Sequence, residues 1–288
     1  MKVISFFIGL FISTMIFAQQ PIEISLWPNG MPNSNGLTGT EEDLEGGRVA
    51  NVVNPSIAVY RPEKPNGMAI IMCPGGGYAR LAMGHEGHDM AAWFTTQGIT
   101  YVVLKYRMPN GHYEVPLSDA EQAIRIVRQH AAEWNINPHR IGIMGASAGG
   151  HLAASLATLY SSQETRPDFQ VLFYPVISMK EGVTHAGSRV NLIGEKPSAE
   201  LEKKYSLEQQ VNAQIPQAFI MLSSDDGAVP PANSLGYYEA LLKNHVPATL
   251  HAYPIGGHGW GFRDNFTYKR QWTGELEKWL REGVTFNE

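Results

Sequence analysis

Six residues near the middle of the chain, Gly145-Ala146-Ser147-Ala148-Gly149-Gly150, set the tightest limit on how it can fold. An apolar run, Ile141-Gly142-Ile143-Met144, precedes them, and a helix-like run, His151-Leu152-Ala153-Ala154-Ser155-Leu156-Ala157, follows. Strand, sharp turn, helix is the setting in which a G-x-S-x-G motif forms a nucleophile elbow, its serine strained at the backbone and its hydroxyl lifted above a sheet. Glycine is expected at 145 and 149 because a Cβ at either position would collide with the neighbouring strand or helix. The motif therefore requires strands linked by helices, and it requires chemical partners for Ser147.

The rest of the chain has that rhythm. Apolar β-rich runs at Ser56–Tyr60, Met68–Cys73, Thr100–Leu104, Arg140–Met144, Gln170–Tyr174, Ala218–Leu222 and Thr249–Tyr253 read as strands. Helical patterns span His88–Gln97, Pro116–Trp134, Ala148–Tyr160, Pro231–Asn244 and Tyr268–Arg281, with Pro116 suited to a helix start because its missing N–H is not needed there. Near-continuous apolar strands alternating with helices predict an α/β architecture, a mostly parallel sheet covered on both faces. Two stretches break the rhythm. Residues 27–54 are rich in Asn, Gly and Glu without a clean period, as expected of a functional or edge-wrapping loop. Residues 178–215 contain His185-Ala186-Gly187-Ser188-Arg189 and a short helix near Ser198–Tyr205, and read as a small cap insertion at the sheet's C-terminal edge.

The first 18 residues read as a secretory signal peptide: Lys2 supplies the positive start, Val3–Phe17 an apolar stretch too short to span a bilayer comfortably, and Ala18 a cleavage point. Residues 19–288 are then expected to form one domain, exported to the periplasm or secreted. No Cys follows the apolar run, which argues against a lipoprotein, and the lone Cys73 excludes an intramolecular disulfide. Cys73 ends an apolar strand and reads as a small buried hydrophobe rather than a reactive thiol. A net charge of −5 argues against nucleic acid or an anionic membrane as partner.

A serine hydroxyl becomes a nucleophile only when a base takes its proton, and that base is normally a histidine oriented by a carboxylate. In this architecture the chain order is Ser, then Asp or Glu, then His. Asp226 follows the strand Ala218–Leu222 in Asp226-Gly227-Ala228-Val229-Pro230, on the rim that the elbow would occupy. Its neighbour Asp225 is the competing acid, and either could instead cap a loop or helix. His258, in Gly256-Gly257-His258-Gly259-Trp260-Gly261 after the last strand, is the expected base. Pro74-Gly75-Gly76-Gly77-Tyr78 follows the strand ending at Cys73; the N–H groups of Gly76 and Gly77, with that of Ala148 beside the nucleophile, are the expected oxyanion donors. Neither glycine cluster has the G-x-G-x-x-G spacing of a dinucleotide site, and no cofactor is implied. His85-Glu86-Gly87-His88-Asp89 lacks the i, i+4 histidine pair of a zinc helix and reads as a helix start, so no metal is assigned. His85 and Glu86 come soon enough after the oxyanion loop to line a cleft. Tyr78 and Trp260 adjoin catalytic elements and are candidates for a surface that stacks a sugar or an aromatic acyl group; Trp27 reads as core or loop packing.

These stretches, with Leu26-Trp27-Pro28-Asn29-Gly30, Leu104-Lys105-Tyr106-Arg107, Tyr174-Pro175-Val176-Ile177 and Gly187-Ser188-Arg189, run across nearly the whole chain beyond the leader. Together they resemble the α/β-hydrolase family of bacterial carbohydrate esterases, the feruloyl and acetylxylan esterase-like group. The resemblance implies an α/β-hydrolase fold and a cofactor-free serine esterase that removes acetyl or feruloyl groups from plant-type polysaccharides or their fragments, with Ser147, Asp226 and His258 as its triad. Pro74 stands where related lipase-like sequences carry the His of an H-G-G-G motif, so any orienting role of that histidine is absent. A general short-chain carboxylesterase or a peptidase of the same fold keeps the chemistry and changes the substrate. Such peptidases usually carry a large gating domain, for which this chain leaves little room. A non-catalytic binding protein of this fold would generally lack a triad member, and all three are present.

Overall fold

The computed structural model describes residues 20–284; the expected leader over residues 1–18 lies outside them. Eight strands form the main sheet: β1 (Ile22–Ser25), β4 (Ser56–Tyr60), β5 (Ala69–Cys73), β7 (Thr100–Lys105), β8 (Ile141–Ala146), β9 (Phe169–Phe173), β10 (Ala218–Ser223) and β11 (Ala248–Tyr253). Their spatial order is β1-β4-β7-β5-β8-β9-β10-β11. β1 and β4 run antiparallel to their neighbours and the remaining pairs are parallel. A second, antiparallel sheet joins β2 (Glu42–Leu44), β3 (Arg48–Ala50) and β6 (Arg80–Leu81).

Every residue of β5 and β8 is buried. Successive strand side chains point to opposite faces, so such strands need helices on both sides. The helices that return the chain are α1 (Ala91–Thr96), α2 (Glu114–Gln129), α3 (Ala148–Leu159) and α6 (Ala232–Lys243), with α7 (Lys269–Lys278) following β11. α2 shows why they pack: Ala120, Ala123, Ile124 and Val127 recur at helical spacing and are all buried. It begins at Glu114, so Pro116 occupies the third helical position, where an N–H is still not needed. Cys73 is fully buried and burial pushes its thiol pKa up, as suits an inert core position.

The irregular stretches have structure that their residue pattern conceals. Residues 178–215 fold as α4 (Ala186–Ile193), α5 (Ala199–Tyr205) and a 3₁₀ turn, Leu207–Gln209, between β9 and β10. Residues 27–54 are tied to the end of β7 and to α2 and contribute the β2–β3 hairpin. Their anchor is Arg107, 1% exposed, whose guanidinium meets Asp119 at 2.7 Å and donates to the carbonyl of Asn33 at 2.8 Å and its Oδ1 at 2.9 Å. Asp119 also accepts the indole N–H of Trp27 at 2.7 Å, so Trp27 is a loop fastener. Glu41 ties the far end, accepting from the N–H groups of Val53 and Asn54 and pairing with Lys105 at 2.7 Å.

Breaking a buried pair leaves an uncompensated charge, which costs about 3–5 kcal/mol. Asp119→Ala is therefore expected to lower unfolding stability by about that amount. Urea unfolding measures it; a loss below about 1 kcal/mol, the level of an exposed pair, would show that this anchor does not hold the loop.

Candidate active site

Ser147 sits between the end of β8 and the start of α3 with φ 56° and ψ −121°, a conformation that few L-residues adopt. The surroundings hold it there. Its N–H donates to the Phe173 carbonyl at 3.0 Å and its carbonyl accepts from Val176 at 3.0 Å and His151 at 3.1 Å. A Cβ on Gly145 would lie 2.1 Å from the Gly149 carbonyl oxygen, and one on Gly149 would lie 2.0 Å from that of Cys73. Only glycine lets strand and helix approach this closely.

The structure brings Ser147, His258 and Asp226 into one line. His258 Nε2 lies 2.8 Å from Ser147 Oγ, and His258 Nδ1 lies 2.7 Å from Asp226 Oδ2. A carboxylate can only accept, so Nδ1 carries the proton and Nε2 is left to accept from the serine hydroxyl. The other oxygen of Asp226 accepts the N–H groups of Ala228 and Val229, both at 2.9 Å, which fixes the buried carboxylate. Asp225 has a separate task. It is exposed and accepts the N–H groups of Gly257 at 2.8 Å and Gly256 at 3.2 Å, bonds that lower its pKa and fasten the loop bearing His258.

The oxyanion loop is held from behind. The Gly75 N–H donates to Glu86 Oε2 at 3.0 Å, and the Tyr106 hydroxyl donates to the Pro74 carbonyl at 2.8 Å. The N–H groups of Gly76, Gly77 and Ala148 have no acceptor among the described residues. These are the three donors expected from the sequence. The other oxygen of Glu86 accepts from the Tyr174 hydroxyl at 2.7 Å, which in turn accepts the Gly261 N–H at 2.8 Å. One buried carboxylate thus joins the oxyanion loop to the histidine loop, while Tyr174 packs edge-on against His258, ring centroids 4.7 Å apart. Burial raises the Glu86 pKa, opposed by the bond from Tyr174.

A cleft of about 330 Å³ opens over Ser147 and His258. His85 and Glu86 line it, with Gly76 and Gly77. Tyr78 and Trp260 do not. Tyr78 is 2% exposed and its hydroxyl lies 2.9 Å from Nδ1 of buried His151, whose Nε2 faces the Tyr205 carbonyl. Burial pulls His151 down to about 4, so it is neutral: Nε2–H donates to Tyr205 and Nδ1 accepts from Tyr78. Trp260 is 4% exposed, donates to Ser223 Oγ at 3.0 Å and stacks on Phe266 at 4.2 Å. Both aromatics face inward and build the walls behind the catalytic loops; the expected stacking role is corrected. His88 is also turned away, its Nδ1 2.9 Å from the Tyr60 hydroxyl.

Four polar lining residues were not singled out as site residues from the sequence: Arg48, Arg80, His185 and Asn191. Asn191 on α4 donates to the Gly77 carbonyl at 2.8 Å, clamping the cap to the oxyanion loop. His185 caps α4 by accepting from the Ser188 N–H at 3.1 Å. For His185 and Asn191 the available signal was their place in the 178–215 insertion.

A mostly parallel sheet bearing a serine elbow, a histidine loop and a glycine-rich oxyanion loop defines an α/β hydrolase. Residues 70–262 match the alpha/beta hydrolase fold family, and the chain belongs to it. It is 43% identical over 226 residues to the acetylxylan esterase of Xylanibacter ruminicola, a match covering 77% of this chain and 47% of that protein. It is 35% identical over 204 residues to endo-1,4-beta-xylanase B of Butyrivibrio fibrisolvens, covering 66% of this chain and 32% of that one. The chain thus spans less than half the length of either relative. The crystal structure of an acetyl ester-xyloside bifunctional hydrolase from Caldicellulosiruptor lactoaceticus matches with a TM-score of 0.77 at 36% identity, over 91% of this chain and 96% of that one.

The two adjacent aspartates separate by function. Asp226→Asn is expected to lower kcat for an activated ester by about 10⁴-fold, because the histidine loses its tautomer. Asp225→Asn, which loosens a loop, is expected to cost about tenfold or less, on the order of one exposed hydrogen bond. Steady-state kinetics of the two variants checks this; equal losses would contradict the assignment.

Proposed function

We propose that this protein is a serine esterase that removes acyl groups, acetyl above all, from xylan-type carbohydrate. The observation that carries the reading is the Asp226–His258–Ser147 line, at 2.7 and 2.8 Å, set beside backbone donors that no group among the described residues engages. The kinship with a protein named acetylxylan esterase and with an acetyl ester-xyloside hydrolase supports the choice of ester.

In this reading Ser147 Oγ attacks the ester carbonyl as its proton passes to His258 Nε2. The carbonyl oxygen becomes an oxyanion facing the N–H groups of Gly76, Gly77 and Ala148, each such donor contributing about 2.7–4 kcal/mol of transition-state stabilisation. The C–O bond to the sugar then breaks, and His258 returns its proton to the departing sugar oxygen. Water, deprotonated by the same imidazole, hydrolyses the acyl-serine and releases the acid. Asp226 stabilises the imidazolium in both halves without itself taking the proton.

Ser147→Ala is expected to reduce hydrolysis of p-nitrophenyl acetate by about 10⁴-fold or more. Activity within about tenfold of the parent, less than the loss of one oxyanion donor, would overturn the mechanism. Among natural esters, acetylated xylan is expected to be cleaved faster than methyl ferulate; the reverse order would move the assignment to feruloyl esters.

A further inference from the structure

The cleft is rimmed by guanidinium groups, on a chain whose net charge is −5. Arg48 and Arg80 both line it, beside Ser147 and the oxyanion glycines. They come from paired strands: β3 and β6 align Ala50 with Arg80 and Val49 with Leu81. Arg80 is tied by its backbone, its N–H 3.3 Å from the Gly76 carbonyl, while its side chain stands exposed. Arg48 is half-buried and among the described residues its guanidinium donates to the Glu45 carbonyl alone, at 3.0 Å. Arg263 borders the adjoining pocket and lies 3.3 Å from Nε2 of His85, which does line the cleft. None of the three takes part in an ion pair among the described residues.

The acids of the site are already engaged. Glu86 is held by the Gly75 N–H and the Tyr174 hydroxyl, and Asp226 by His258, Ala228 and Val229. The other acids nearby border adjoining pockets, Glu23 and Asp43 with Arg48 and Asp89 and Asp264 with Arg263, and among the described residues none of them forms an ion pair with these arginines. His85 and His185 weigh little in the cleft's positive charge: burial, with Arg263 and Arg48 nearby, pulls His85 down to about 4, and burial also lowers His185. Acyl transfer itself does not need these arginines, because the oxyanion is met by backbone N–H groups. A neutral acetylated sugar offers a guanidinium no charge to answer. A carboxylate does, in the planar two-point geometry that arginine favours.

Building on the esterase reading, we propose that the preferred substrate carries a carboxylate next to the scissile ester: an acylated oligosaccharide bearing a uronic acid, held by Arg48 and Arg80. The same chemistry could reside in the acyl group, as in a half-ester of a dicarboxylic acid, so the test separates the two.

At low ionic strength, kcat/KM is measured on acetylated neutral xylo-oligosaccharides, on the same oligosaccharides with a uronic acid branch, and on 4-nitrophenyl hemisuccinate against 4-nitrophenyl acetate. The uronic acid substrate is expected to exceed the neutral one by about tenfold or more, the scale of a charge-assisted contact. That ratio is expected to fall towards one in Arg48→Gln/Arg80→Gln, and in about 1 M salt, where the screening length is about 3 Å. Equal rates on acidic and neutral oligosaccharides would overturn the proposal. A preference confined to the hemisuccinate would overturn the uronic acid and place the carboxylate on the acyl group. Binding to Ser147→Ala, followed by calorimetry, keeps the test independent of turnover. Tighter binding of the acidic oligosaccharide by about tenfold supports the rim, and equal binding refutes it. Absence of turnover on every ester would instead count against the esterase reading.

Discussion

Helix α3 packs so closely against the ends of β8 and β5 around Ser147 that only glycine fits at 145 and 149, and the rest of the site depends on that packing. The backbone is forced to φ 56° and ψ −121°, at a cost of about 1–3 kcal/mol. The flanking strands supply the compensation. β9 accepts the Ser147 N–H through Phe173, and the chain just beyond it donates to the Ser147 carbonyl through Val176. A serine on a relaxed helix or strand would have its hydroxyl in a wall. Here it stands in the cleft, with the Ala148 N–H immediately behind it.

Two carboxylates that take no part in the proposed proton transfers support that arrangement. Glu86 is buried, and its two oxygens bridge the Gly75 N–H to the Tyr174 hydroxyl, so the oxyanion and histidine loops share one support. Engaging Gly75 in this way leaves Gly76 and Gly77 as the donors that face the cleft. Asp225 performs the matching task from the exposed side by fixing the backbone at Gly256 and Gly257. Pro74, standing where related sequences carry a histidine, needs no imidazole to orient it: its carbonyl is held by Tyr106.

What the residue pattern disclosed follows from how each part is stabilised. The core strands were legible because they are buried on both faces and therefore almost purely apolar; β4 coincides with its expected span, β10 extends its own by one residue, and β8 starts one residue later and ends two later than expected. The elbow, Asp226 and His258 were legible because strand ends, glycine context and chain order are local signals. The β2–β3 hairpin was not. Glu42-Asp43-Leu44 is exposed and has no apolar alternation, and its stretch is held by distant partners such as Arg107 and Lys105. Arg48 and Arg80 were hidden for the same reason, since an arginine that lines a cleft looks in sequence like any surface arginine. Tyr78 and Trp260 show the opposite error. Each is next in sequence to a catalytic element, but the turns direct their side chains into the core, where burial of a large ring is favourable.

The proposed role of Ser147, a nucleophile activated by His258, is measured most directly by reaction with a fluorophosphonate, a probe that phosphonylates an activated serine, followed by peptide mapping by mass spectrometry. A single phosphonyl group is expected on Ser147, formed rapidly in the parent protein and lost in His258→Ala. Labelling at another serine, or equal labelling of Ser147 without His258, would contradict it.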